Sequence, residues 1–410
     1  MTSRQRVLKA INFEEPDRVP IDLSAMRASG INAVVYDRLK RRMGIRTPTK
    51  TFDTMQILAE VELEVLERLH VDVVPLDVGG VSWSEQQAEA GVRRRLFEGT
   101  EVFFPPHTRI TEEDDGSWAL RGRDGTPVAR MPKGGFYFDF IRPTMSARRI
   151  DPDAFEPPAS VPDEQLELIA RRARHLYENT DKAILGWGAS ISMMGMSALL
   201  SDNITQGALD EWLCMLLMEK ETAHNMMGRY VDAVISCMKL YHEATGDRCV
   251  AWGVASDDGG TQRGGLIAPE LFAEMVKPHY KRLCDWVHAN TGWKTFLHSC
   301  GSIYDYIPHW VEAGIDILNP VQISAANMEP ERLKRQFGDN LVFWGGGCDT
   351  QEVLPLGTPD KIREHVRRNI EALRAGGGFV FTQVHNIQQD VPVENVEAML
   401  RAAYEFGRYS

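Results

Sequence analysis

The most constraining feature of this chain is an alternation. Short apolar, β-branched runs recur between amphipathic stretches of helical length. Eight such runs can be read: Arg18–Ser24, Val71–Asp77, Ala183–Gly188, Cys249–Asp257, Lys294–Cys300, Ile317–Gln322, Leu341–Gly347 and Phe379–His385. Several come after a helix that stops at Gly or Asn, as at Gly314 before the sixth run, which is the ending a short helix-to-strand loop wants. Eight strands alternating with helices predict an α/β fold, a (β/α)8 TIM barrel, and one such domain can span all 410 residues.

One stretch breaks the rhythm. Residues 79–143 read as short strands, among them Val102–Phe104, Thr108–Thr111, Trp118–Leu120 and Pro127–Met131. Asp114-Asp115-Gly116 and Asp124-Gly125 supply hairpin turns. The expectation is an antiparallel β insertion after the second strand, serving as decoration, lid or subunit contact. Residues 151–162, with four prolines, read as a linker back into the barrel.

Composition narrows the function. With 43 % hydrophobic and 25 % charged residues the chain can bury a large core, which excludes disorder as the main state. A net charge of −12 argues against nucleic acid or an anionic membrane as the partner. No apolar run reaches the roughly 18 residues that a membrane helix needs. The opening residues carry no apolar segment of signal-peptide type, so a cytoplasmic location is expected. There the six cysteines stay reduced, and with no CxxC pair any cysteine with a role is a ligand or a nucleophile.

In a barrel, reactive groups stand at the C-terminal ends of strands. The fifth run ends His298-Ser299-Cys300-Gly301. Residues two apart on a strand share a face, so an imidazole and a thiol project together, as zinc ligands do. Against this stands a buried Cys beside a structural His, and the strand-end position favours the metal. Cys348, after Gly345-Gly346-Gly347, and His385, ending the eighth run, are candidates for a third ligand. Adjacent Asp257 and Asp258 end the fourth run and point to opposite faces, so one enters the mouth as ligand, acid/base or substrate anchor, with a solvated Asp-Gly turn as the bland alternative. Asp77 ends the second run with the same two readings. Arg27 in the first loop can hold an anion, and Gln262 and Met196 are candidate substrate contacts; a solvated arginine and a core methionine stripe are the plain alternatives. There is no phosphate loop, GxSxG elbow or HExxH.

Residues from about Gln262 to Tyr404 resemble the uroporphyrinogen decarboxylase superfamily. The resemblance is carried by Phe296–Gly301 (FLHSCG), Glu312–Gln322 (EAGIDILNPVQ), Trp344–Gln351 (WGGGCDTQ) and His385–Val396 (HNIQQDVPVENV). It implies a distorted barrel and one of two chemistries. The decarboxylases act without metal and carry two first-loop arginines; this chain keeps Arg27 but has Ile31 at the second position. Their third-strand tyrosine is also absent, since Gly188-Ala189-Ser190 leads to Met193, Met194 and Met196. The cobalamin-dependent methyltransferases resemble this chain in the HxC motif and bind zinc through it and a later cysteine. The resemblance therefore implies zinc on His298 and Cys300, completed by Cys348 or by His385. It also implies methyl transfer between a small molecule and a corrinoid. The chain has no DxHxxG motif, so the corrinoid is expected as free methylcobalamin or on a separate protein; a homodimer is a further expected association. The rivals are a metal-free decarboxylase, using Arg27, Asp77 and His385, and a non-catalytic corrinoid- or partner-binding barrel.

Overall fold

The computed structural model describes residues 1–77, 91–122, 124–141, 152–153, 155–157, 159–194 and 209–409, with Asp77 as backbone only. Seven parallel strands make one curled sheet in sequence order: β1 (Val73–Asp77), β2 (Ala183–Ile191), β3 (Ala251–Ser256), β4 (Lys294–His298), β5 (Ile317–Asn319), β6 (Val342–Trp344) and β7 (Phe379–Val380). They correspond to the second to eighth runs.

The first run forms no ladder. Pro20 has no N–H to donate, and the segment bonds through single residues instead. Asp72 N–H donates to Ile21 O at 2.7 Å on the β1 side. Asp22 N–H donates to Phe381 O, and Phe381 N–H to Pro20 O, both at 2.8 Å, on the β7 side. The eighth position is thus occupied and the sheet closes, by isolated bridges where a strand was expected.

Alternation along the strands separates an inner from an outer layer. Val73, Leu185, Ala251, Phe296, Ile317, Val342, Trp344 and Val380 form one buried cluster inside the barrel. Leu297 and Leu318, one residue out of phase, pack with the helices. Those helices are α1 (Ser3–Ile11), α2 (Ala33–Arg42), α3 (Asp163–Asn179), α4 (Lys220–Thr245), α5 (Lys277–Asn290), α6 (Ile307–Ala313), α7 (Pro330–Phe337), α8 (Pro359–Leu373) and α9 (Val393–Phe406). Local chemistry sets their ends. Thr2 and Gln5 cap α1 reciprocally, and α6 stops at Gly314, left-handed with φ 93°.

The insertion is antiparallel, as expected. Val92–Arg95 pairs with Glu101–Phe104, and a second sheet runs Ile110–Glu112, Trp118–Arg121, Pro127–Met131, Asp139–Phe140. Gly116 and Gly125 take positive φ in the two expected turns. Val92–Arg95 and Asp139–Phe140 escape a hydrophobicity reading because their charged or exposed faces hide the alternation. A short hairpin in the first loop, Thr51–Asp53 with Leu58–Ala59, was likewise not expected. The insertion docks on it, Phe103 N–H donating to Thr49 O at 2.9 Å and Phe138 N–H to Met55 O at 2.7 Å. In the expected linker, the described residues before α3 carry neither helix nor strand, and Phe155 is buried near Tyr230. Among the described residues no helix is long and apolar enough to cross a membrane. A cleft of about 730 Å³ between α2 and α9, lined by Leu39, Met43, Tyr404 and Arg408, contains none of the expected site residues.

Candidate metal centre

The inner face of β4 continues upward from Phe296 to His298 and then Cys300. The Cys300 Sγ lies 3.5 Å from His298 Nε2. Zinc bonds of about 2.0 Å to nitrogen and 2.3 Å to sulfur, meeting tetrahedrally, place such atoms roughly 3.5 Å apart. His385, beyond β7, brings its ring edge-on to His298 with centroids 6.0 Å apart. One ligand atom from each of His298, Cys300 and His385 falls within 4.8 Å of the others. Two nitrogens and a sulfur at this spacing suit a zinc ion and leave a fourth position for substrate.

The surroundings hold this geometry. His298 pairs in register with Ser256 on one side and Asn319 on the other. Its Nδ1 lies 2.8 Å from Asn319 Oδ1. The Cys300 N–H donates to Asp258 Oδ1 at 3.0 Å, and the Gly301 N–H to Gln322 Oε1 at 2.7 Å. Gly301 has φ 94°, and a Cβ there would lie 2.2 Å from Gly260 O, so only glycine lets the two loops cross.

Burial pushes the Cys300 thiol up, and the Asp258 carboxylate adds to this. Burial and the neighbouring His298 push His385 down, which keeps its imidazole neutral and a lone pair available near pH 7.

The two aspartates divide as the alternation predicts. Asp258 is exposed and sits with Oδ1 3.7 Å from His298 Nε2. Asp257 turns the other way and is buried. It accepts from Met193 N–H (3.0 Å), Met194 N–H (2.7 Å) and Tyr280 O–H (2.7 Å). It therefore anchors the segment after β2 rather than facing the cluster, and burial pushes its pKa up to about 6.

Other expected site residues fall elsewhere. Cys348 stands outside the cluster: it is fully buried, its Sγ is 3.7 Å from Asp349 O, and it pairs with Gln383. That register sets it level with a residue two positions before His385, so His385 rather than Cys348 completes the group. Arg27 Nε donates to Asp53 Oδ2 at 2.8 Å. Gln262 is exposed, and its carbonyl accepts from Ala326 N–H at 3.0 Å. The Asp77 backbone pairs with Trp187, while its side chain and all of Met196 lie outside the described residues.

Three neighbours were not singled out from sequence: Asn319, Gln322 and Trp187. Trp187 lies half-buried on β2, edge-on to Phe296 with centroids 5.9 Å apart. Gly253 makes room for it, since a Cβ there would be 2.1 Å from the indole. Counting by twos along each run would have placed Trp187 and Asn319 on the inner face.

A family model described as Uroporphyrinogen decarboxylase (URO-D) matches residues 131–406, well over half of the chain, a span that includes His298, Cys300 and His385. The chain belongs to the uroporphyrinogen decarboxylase family. Within the family, the Uroporphyrinogen decarboxylase of Pseudoalteromonas atlantica is 21 % identical over 361 residues, covering 84 % of this chain and 96 % of the relative. That of Pseudoalteromonas translucida is 24 % identical over 203 residues, 47 % of this chain and about half (51 %) of the relative's length. A methyltransferase from Methanosarcina mazei has the same fold, with a TM-score of 0.57, 17 % identity and 99 % of each chain covered.

Proposed function

We propose that this member of the family is a zinc-dependent methyltransferase. It moves a methyl group between a small substrate and a corrinoid, either free methylcobalamin or one carried by a separate protein. The observation that carries this reading is the His298–Cys300–His385 cluster at the barrel mouth. The name of the Methanosarcina structure agrees with it. A cytoplasmic setting, in which these thiols stay reduced, belongs to the same reading.

Bound there, zinc supplies Lewis acidity: it polarises a substrate oxygen, nitrogen or sulfur, or lowers the pKa of a substrate thiol. The chain's own groups do the rest. His298 and His385 offer nitrogen lone pairs, and Cys300 gives up its proton to become a thiolate ligand. Asp258, whose side chain is 67 % exposed, receives that proton and passes it to water. Trp187, level with Phe296 and two residues below His298 on the sheet, offers an apolar surface beneath the cluster.

The names of the curated relatives favour a second reading, metal-free decarboxylation. Two observations weigh against it. Arg27 is drawn into an ion pair with Asp53, and Ile31, where the decarboxylases carry another arginine, is fully buried.

Elemental mass spectrometry on chain purified without chelators separates the two. About one zinc per chain is expected, lost in His298→Ala, Cys300→Ser and His385→Ala and retained in Cys348→Ser. Loaded protein should exchange methyl groups with methylcobalamin. A chain that takes up no zinc on reconstitution, or that decarboxylates fully after chelation, would overturn the methyltransferase reading.

A further inference from the structure

We propose that Asn319 is a positioning residue that fixes the tautomer and aim of His298. The inference rests on the zinc reading for its purpose, but its geometry stands without a metal.

What each atom can donate or accept decides the arrangement. Asn319 Nδ2 is 2.7 Å from the backbone carbonyl oxygen of Trp344. A carbonyl only accepts, so the amide nitrogen must face Trp344 and the amide oxygen must face His298. That oxygen also only accepts, and it lies 2.8 Å from His298 Nδ1. His298 must therefore carry a proton on Nδ1. Nε2 is left with its lone pair, directed toward Cys300 Sγ at 3.5 Å. With one proton on the ring, the nitrogen facing the cluster is the one able to bind a cation.

The chain of contacts reaches further. Trp344 is itself held, its indole Nε1–H donating to Asp22 Oδ2 at 2.9 Å. Asp22 lies on the segment that closes the barrel, and its other oxygen accepts from Ala25 N–H at 2.9 Å. Four positions, Asp22, Trp344, Asn319 and His298, thus run from the closing segment through β6 and β5 to the ligand on β4. All four are almost wholly buried, so water does not compete for these bonds. A histidine ligand whose second nitrogen is tied in this way loses 10- to 100-fold in metal affinity when the tie is removed, by the general behaviour of such partners.

The test reads the tautomer directly. The protein is labelled with 15N-histidine, and the His298 signals are assigned by their loss in His298→Ala. In the metal-free wild type the nitrogen shifts should report a single Nδ1–H tautomer. Asn319→Leu, of similar volume, should show mixed tautomers and bind zinc roughly 10- to 100-fold more weakly in competition with a chromophoric chelator. Asn319→Asp keeps an acceptor for Nδ1–H and should recover most of that affinity. A wild type protonated on Nε2, or an Asn319→Leu that keeps both the tautomer and the affinity, would overturn the inference. Should the wild type bind no zinc, the methyltransferase reading fails, and the tautomer measured on the metal-free protein still decides the role of Asn319. That wild-type measurement also stands if a variant fails to fold.

Discussion

Single residues show which part of the site a sequence can carry. His298 and Cys300 were legible as a pair because a strand repeats every two residues, and that period needs no knowledge of neighbours. The third member of the cluster was not, because His385 and Cys348 each stand at the end of an apolar run and only the register between strands ranks them. Pairing sets Cys348 beside Gln383, below His385. Asp257 and Asp258 were legible as a divided pair, but not as to which faced inward. For the buried member, stability should depend on pH. An acid whose pKa rises on folding stabilises the fold fully below its unfolded pKa and loses that contribution as pH climbs through the folded value. For Asp257 the window runs from about 4 in the unfolded chain to about 6 in the fold. Urea unfolding of wild type and Asp257→Asn should show the wild type losing ~3 kcal/mol relative to the variant between pH 4 and 7. A difference that stays constant with pH would mean that folding leaves the Asp257 pKa unshifted.

At the scale of elements, run centres were legible and run ends were not. Ala183–Gly188 extends to Ile191 as β2, whereas Leu341–Gly347 contracts to Val342–Trp344. Hydrophobicity marks where a strand is buried, while hydrogen-bond partners decide where pairing stops. The end of β4 is where this matters for function. After β4 the chain crosses the β3–α5 loop at Gly301 and Gly260, and Ser302 N–H then donates to Thr261 O at 2.7 Å. This crossing keeps Cys300 above His298. Gly301→Ala adds a Cβ that collides with the Gly260 backbone and a φ that alanine resists, a strain of about 1–3 kcal/mol. The expected result is a folded protein with a lowered melting temperature and weakened zinc binding. Unchanged zinc affinity would show that the crossing does not position the thiol.

At the scale of the whole molecule, closure of the sheet depends on a short segment that sequence alone marked as a full strand. Ile21 makes single contacts to both edges, too few to hold a seam by backbone bonding. The additional hold is ionic. The fully buried Asp72 carboxylate, just before β1, accepts from Arg6 Nη1 at 2.7 Å, from Arg18 Nη1 at 2.7 Å and Nη2 at 2.9 Å, and from Ile21 N–H at 2.8 Å. Arg6 comes from α1 and Arg18 from the closing segment, so one carboxylate gathers the N-terminal region onto β1. The seam lies at the foot of the barrel, and Asp22, one residue beyond Ile21, begins the chain of contacts that ends at His298. Removing one partner of a buried charged group leaves the others uncompensated and costs about 3–5 kcal/mol. Asp72→Ala is therefore expected to lower stability by that amount. Hydrogen exchange should rise together in β1, in residues 18–24 and in β7, with less effect on β3 and β4. Zinc affinity should fall in the same variant, because the tie from Asp22 to Trp344 loosens as the seam opens. If exchange rises evenly over all seven strands, the molecule opens as a single unit and the seam has no separate identity. If it rises at the seam while zinc affinity is unmoved, closure stabilises the barrel without setting the geometry of its mouth.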